Sequence, residues 1–162
     1  MALYLRNLLR GEYDSLGSPP PMRSLDSLES TARRALSRVG AGLHVPGRLI
    51  VVGLGHALRP RRPPRMCGEA TQGRVVAYDP TLPDAEISLF CAHGAAHGLI
   101  DDGDPRTHAD TWLLTTLLLV PRAAAQTMCE RELVERSHCP AWITRATRGL
   151  LLRWDSLGET AS

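Results

Sequence analysis

Residues 88–100 read Ser88-Leu-Phe-Cys-Ala-His-Gly-Ala-Ala-His-Gly-Leu-Ile100. The stretch is apolar or small except for two histidines, His93 and His97, four residues apart. On an α-helix that interval places both imidazoles on one face, one turn apart. Leu89, His93, Ala96, His97 and Ile100 fall on that face together. Just upstream, Thr81-Leu-Pro-Asp84 has the form of a helix start, with Thr81 as the cap and Pro83 in the first turn. Downstream, Asp101-Asp-Gly-Asp-Pro105 ends the helix. The spacing is that of the H-E-x-x-H zinc motif, except that Gly94 stands where the catalytic glutamate would be.

The next helix is predicted from Thr107, with Asp110, Leu113, Leu114, Leu117 and Leu118 as its inward stripe and Pro121 at its end. Zinc takes nitrogen, sulfur or carboxylate ligands, and open sites use three of them from the protein. Two histidines on one helix therefore need a third group from another element. Asp110 opens the stripe of the following helix, so it points inward, where a carboxylate requires a partner. His108, two residues earlier, is the alternative ligand. Asp101, one turn beyond His97, could instead orient an imidazole from behind. On the spacing alone, a satisfied pair of core or rim histidines is the better reading.

The flanking segments outline an α+β chain. Residues 24–39 carry Leu25, Leu28, Ala32, Ala35, Leu36 and Val39 at helical spacing, with Ser24 as cap and Gly40 as stop. Leu49-Ile-Val-Val-Gly53, bounded by Pro46-Gly47 and Gly55, reads as a short buried strand. Residues 56–73 read as loop, with a possible edge strand at 65–70, and Arg74-Val-Val-Ala-Tyr78 reads as a second strand. Helical segments are expected near residues 122–135 and 140–153, with a turn at Ser137-His-Cys-Pro140. Residues 1–22 end in Pro19-Pro-Pro21 and read as a flexible lead, although Leu3, Leu8 and Leu9 could dock as a short helix. The organisation expected is a lead over 1–22, a domain over 23–128 and a helical segment over 129–162.

Composition excludes more than it selects. The 162 residues suffice for one domain with a core, and a net charge of +2 names no partner. Every basic residue is arginine. The Arg59–Arg65 run, interrupted by prolines, is a weak nucleic-acid signal. Four cysteines (Cys67, Cys91, Cys129, Cys139) form no C-x-x-C pair and read as free thiols. No secretory leader and no apolar run of membrane-spanning length is apparent, so a cytoplasmic protein is expected. His44, His56 and His138 read as surface or turn residues, and Cys91 as a small core residue.

With these residues in view, the stretch 74–121 resembles the ImmA/IrrE group of zinc metallopeptidases, a family associated with cleavage of phage-type or stress-response repressors. There a strand and turn lead into a helix written roughly F-x-x-A-H-E-x-x-H-x-L-x, and a later helix reads E-A-N-x-F-A-x-x-L-L-x-P. The matching text here is Ser88–Ile100, then Asp110-Thr-Trp-Leu-Leu-Thr-Thr-Leu-Leu-Leu-Val-Pro121. The resemblance implies a small zincin-like fold: a short mixed sheet packed on a metal-site helix, followed by a C-terminal helical segment. It also implies Zn2+ held by His93, His97 and Asp110, and a repressor or other regulatory protein as substrate or partner. Gly94 replaces the glutamate that accepts the proton of the attacking water, and losing such a base costs roughly a hundred- to ten-thousand-fold in rate. Trp112 stands where the family has asparagine. The resemblance therefore implies a divergent peptidase-like protein with little hydrolysis. The alternatives are a non-catalytic interaction module, or a DNA-associated regulator using the C-terminal helices, where Leu133–Ala146 has a helix-turn-helix flavour, and the Arg59–Arg65 loop.

Overall fold

The computed structural model describes residues 23–40, 46–61, 74–100 and 108–159, with side chains to residue 155. The lead over 1–22, the proposed edge strand at 65–70, Cys67, His44 and Asp101 lie outside the described residues. Among the described residues, seven helices and two strands follow in order: α1 (Leu25–Val39), α2 (Gly47–Gly53), β1 (Ala57–Pro60), β2 (Val75–Tyr78), α3 (Asp84–Ile100), α4 (His108–Leu119), α5 (Arg122–Thr127), α6 (Glu130–Ser137) and α7 (Ala141–Glu159). The chain is thus α+β and mostly helical. The sheet among the described residues is two parallel strands, with Ala57 opposite Val75 and Pro60 opposite Tyr78.

The centre of the molecule is the pair α3 and α4. Every residue of α4 from Ala109 to Leu119 is buried, and α3 buries most of its length from Ile87 to Ile100. A helix that is apolar all round is surrounded on all sides, and its neighbours account for the enclosure. α1 and α3 pack on α4, α2 packs on α3, and β2 lies against α3. Leu133 of α6 and Ile143 and Leu151 of α7 join the same hydrophobic cluster as α1 to α4. Fully burying each leucine of α4 contributes about 1.5–3 kcal/mol, so this helix is a major source of apolar burial among the described residues.

The first helix is as the sequence dictates. Ser24 Oγ accepts the Ser27 N–H, and Gly40 adopts the left-handed conformation (φ 65°) that stops it. The second element differs from expectation. Leu49-Ile-Val-Val-Gly53 is helical, not a strand. Pro46 presets the turn, and its carbonyl accepts from both Leu49 and Ile50. Gly47, Ile50 and Val51 face inward, whereas Leu49 (55% exposed) and Val52 (56%) face out. That is a helical pattern concealed by four consecutive apolar residues.

Close packing locks this conformation. A Cβ on Gly47 would fall 1.8 Å from the Ser88 carbonyl oxygen, so α2 and α3 touch backbone to backbone. The Gly47 N–H donates to Ser88 Oγ (2.8 Å), and the same hydroxyl donates to the Ser137 carbonyl (2.8 Å). One serine thereby joins α2, α3 and the end of α6.

The remaining differences are local. The first strand is Ala57–Pro60, inside a segment expected to be loop. The start of α3 does not use Thr81 as its cap. Asp79 Oδ1 accepts both the Thr81 N–H (2.9 Å) and its hydroxyl (2.6 Å), and helical bonds begin at the Pro83 carbonyl. A carboxylate two residues earlier outcompetes the helix for the threonine. At the far end, Arg122 joins α1, α5 and α7. It bonds Glu29 Oε2 (2.9 Å) and Asp155 Oδ1, while Gln126 donates to Asp155 Oδ2 (2.9 Å).

Gly47→Ala is expected to lower the unfolding free energy by about 2–3 kcal/mol, because a methyl group against backbone is relieved only by moving a helix. The check is a lower urea midpoint at unchanged m-value. The Arg122 hydrogen bond holds the Asp155 carboxyl below its ordinary range. Its folded pKa is depressed, so its contribution is present above the unfolded value and is lost as pH falls through the folded one. Asp155→Asn should therefore flatten the decline in thermal stability between about pH 5 and pH 2 relative to wild type.

Candidate metal centre

Three histidines converge where α3 meets the first turn of α4. His93, His97 and His108 offer one ligand atom each, all within 4.8 Å of one another. His93 is buried, and the other two are half-buried. The ring centroids form a triangle of 4.6, 5.3 and 5.7 Å.

Helix geometry explains which residues take part. His108, Trp112 and Thr115 stand at i, i+4 and i+7, on one stripe of α4. All three touch His93. Trp112 stacks on its ring (3.7 Å between centroids, 15° between planes), and His108 meets it edge-on. Thr115 Oγ1 lies 3.1 Å from His93 Nδ1. Asp110 is two positions from His108, hence on nearly the opposite side of the helix. It is fully buried, and its Oδ1 accepts the Arg23 backbone N–H at 3.2 Å. The converging group therefore has His108 in the third place, where the resemblance implied Asp110.

The hydrogen bonds fix the tautomer of His93. The Thr115 hydroxyl proton is committed to the Thr111 carbonyl (2.7 Å). Thr115 Oγ1 can then only accept from the ring, so His93 carries its proton on Nδ1 and presents a bare lone pair at Nε2. His97 Nε2 lies 3.2 Å from that atom and, without a metal, donates its proton to it. Burial pushes the pKa of His93 well below the usual imidazole value, and the nearby His97 and His108 lower it further. Burial also lowers that of His108. His93 and His108 are thereby biased toward the neutral form that binds metals.

The donor set fits a borderline transition metal such as Zn2+. Tetrahedral zinc with Zn–N of about 2.0–2.1 Å puts two ligand nitrogens roughly 3.3 Å apart and two ring centres roughly 5.2 Å apart. The His93–His97 nitrogen separation and the centroid triangle both lie near these values. All-imidazole donors disfavour magnesium and calcium, which take oxygen. Thr115 behind His93 is the partner that such a ligand normally has on its second nitrogen.

Other candidates fall outside the cluster. Gly94 is buried within α3, next to His93 in sequence but turned to another face. Cys91 is buried and free, its thiol pushed up to about 11 by burial, as befits a core residue. Cys139 is likewise buried and free, and Cys129 is exposed. His138 ends α6 in an exposed turn. His56, read as a surface or turn residue, follows the turn at Leu54-Gly55 and is half-buried; its ring lies over Gly98, and its Nδ1 is buried without a hydrogen-bond partner. Sequence reasoning missed Thr115, although a hydroxyl inside a fully apolar helix signals a buried partner.

No protein-family model, no curated protein and no solved structure matches this chain.

Purified, metal-stripped protein is expected to take up one Zn2+ or Co2+ per chain. His93→Ala, His97→Ala and His108→Ala should each reduce that uptake to background in calorimetric titration. Trp112 fluorescence should change on Co2+ binding in wild type and in none of the three variants. Unchanged binding in His108→Ala would remove it from the ligand set.

Proposed function

We propose that the protein is a divergent, zincin-like metal-binding protein of the ImmA/IrrE type, which recognises a repressor or other regulatory protein and cleaves it poorly or not at all. The observation that carries this reading is the convergence of His93, His97 and His108 at the α3–α4 junction. The order of elements supports it: a strand, a turn, a helix with two histidines four apart, and a second helix that supplies the third donor and ends at Pro121. Zn2+ in the site would supply Lewis-acid polarisation of a carbonyl oxygen. The chain's own groups would do the rest of the positioning. Thr115 fixes the His93 tautomer, and Trp112 covers one face of its ring.

What the chain does not supply is a proton acceptor after His93. Gly94 has no side chain to take a proton from an attacking water or pass it to a leaving amine. That single position favours recognition over turnover. The DNA-associated alternative has weaker support. Of the arginines in the C-terminal helices, Arg145 is bonded to Glu130 and Arg148 to the Ala125 carbonyl, both engaged in holding helices together.

Restoring the acceptor tests the reading. Wild type and Gly94→Glu, both zinc-loaded, would be incubated with a peptide library and the products read by mass spectrometry. Wild type should show cleavage at or near the level of a chelated control. The variant should gain roughly a hundredfold or more. Efficient, chelator-sensitive cleavage by wild type would overturn the non-catalytic reading. A folded, zinc-binding Gly94→Glu that cleaves nothing would remove the support for peptidase ancestry.

A further inference from the structure

Asp110 is buried on the face of α4 that looks toward α1, away from the histidines. Its Oδ1 accepts the Arg23 backbone N–H (3.2 Å), and the Arg23 guanidinium reaches over to donate to the carbonyl of Ile100 (3.3 Å). Arg23 immediately precedes the Ser24 cap of α1. One residue therefore ties three termini together: the start of α1, the end of α3 and the first turn of α4. His97 lies one turn before Ile100, and His108 lies two residues before Asp110. The termini joined by Arg23 are the ones that carry two of the three converging imidazoles.

We infer that Arg23 and Asp110 are positioning residues for the metal centre: together they form a clamp that sets the His97–His108 separation, and the site's affinity depends on the clamp although neither residue ligates the ion. The inference rests on the metal-binding reading above.

The physical argument is one of pre-organisation. Each imidazole is carried on a helix end, and helix ends fray unless their free N–H and C=O groups are engaged. Arg23 occupies an α3 carbonyl with a charged donor. The Asp110 carboxylate is held in the first turn of α4, where the helix dipole favours negative charge, and it is engaged from outside that helix. With both ends fixed, an ion meets three donors already near their bound separation and has little ordering left to impose. Coupling of this kind is reciprocal. If the clamp favours metal, metal must favour the clamp by the same factor.

The reciprocity supplies two measurements. The first is Zn2+ affinity of the full-length chain, by competition with a chromophoric chelator, for wild type, Arg23→Ala, Asp110→Ala and Asp110→Asn. Arg23→Ala and Asp110→Ala should each weaken binding by about ten- to a hundredfold, the range for groups that orient ligands. Asp110→Asn keeps an oxygen for the Arg23 N–H and should stay close to wild type. The Co2+-loaded Arg23→Ala protein should also show shifted d–d bands, a change in ligand geometry that lost stability alone would not produce.

The second measurement uses wild type only and holds even where a variant fails to fold. Trypsin must take up the Arg23 side chain to cut the Arg23–Ser24 bond, so cleavage there requires the clamp to open. Zn2+ should slow that cut relative to cleavage after the exposed Arg61. Equal losses in Asp110→Asn and Asp110→Ala would instead make Asp110 a ligand and overturn the inference. So would unchanged affinity in Arg23→Ala and Asp110→Ala, or a Zn2+-independent rate at Arg23–Ser24. Absence of Zn2+ binding by wild type would overturn the metal reading and this inference with it, and is seen before any variant is compared.

Discussion

His93 is a titratable side chain with almost no access to water, and the α3–α4 pair is arranged so that it stays neutral and fixed. Its ring has Trp112 on one face, Thr115 on Nδ1, and the edges of His97 and His108 nearby. Such a group is tolerated only when its nitrogens are satisfied without a charge. Thr115 does this on one side by accepting, because its own proton goes to Thr111. On the other side a lone pair is left facing His97. The remaining architecture follows from keeping two wholly buried helices in that register. α1 and α2 cover them on their outer sides, the small sheet lies against α3, and the C-terminal helices complete the cluster that α4 needs to bury its leucines.

Much of this was legible in the sequence, and the misses have physical reasons. The helical histidine pair, the helix after it, the cap at Ser24 and the second strand were readable from period and turn chemistry. The run Leu49–Val52 suggests a strand because four adjacent apolar residues carry no helical period. The deciding information was Gly47, whose missing side chain admits α3 to backbone contact, and such a contact is invisible along the chain. The sequence ranks His108 behind Asp110 for a related reason. α4 is apolar on every side, so its stripe could be drawn through 110, 113, 114 and 117 or through 108, 112 and 115. Both stripes are buried, one toward α1 and one toward α3. Only the packing partner distinguishes them.

Trp112 and Gly94 gain meaning together. As departures from a motif they look like loss. In the structure Trp112 occupies the face of His93, while Gly94 leaves the following position on α3 without a side chain. The site brings together groups that could hold and orient an ion, and α3 offers no proton-exchanging side chain at position 94. A centre built this way suits retention and recognition more than turnover, which is the sense of the function proposed above.

The depth of His93 has a kinetic consequence. The imidazole is 2% exposed, and its two partners are the more accessible ones. An ion arriving from solvent meets His97 and His108 first and reaches the innermost nitrogen last, so capture is ordered. Departure would follow the reverse order and begin with one of these two, of which His108 stands on the opening turn of a helix otherwise locked in the core. An ion held there would exchange no faster than these helix ends open, so the same burial that keeps His93 neutral would make such a site slow to fill and slow to empty.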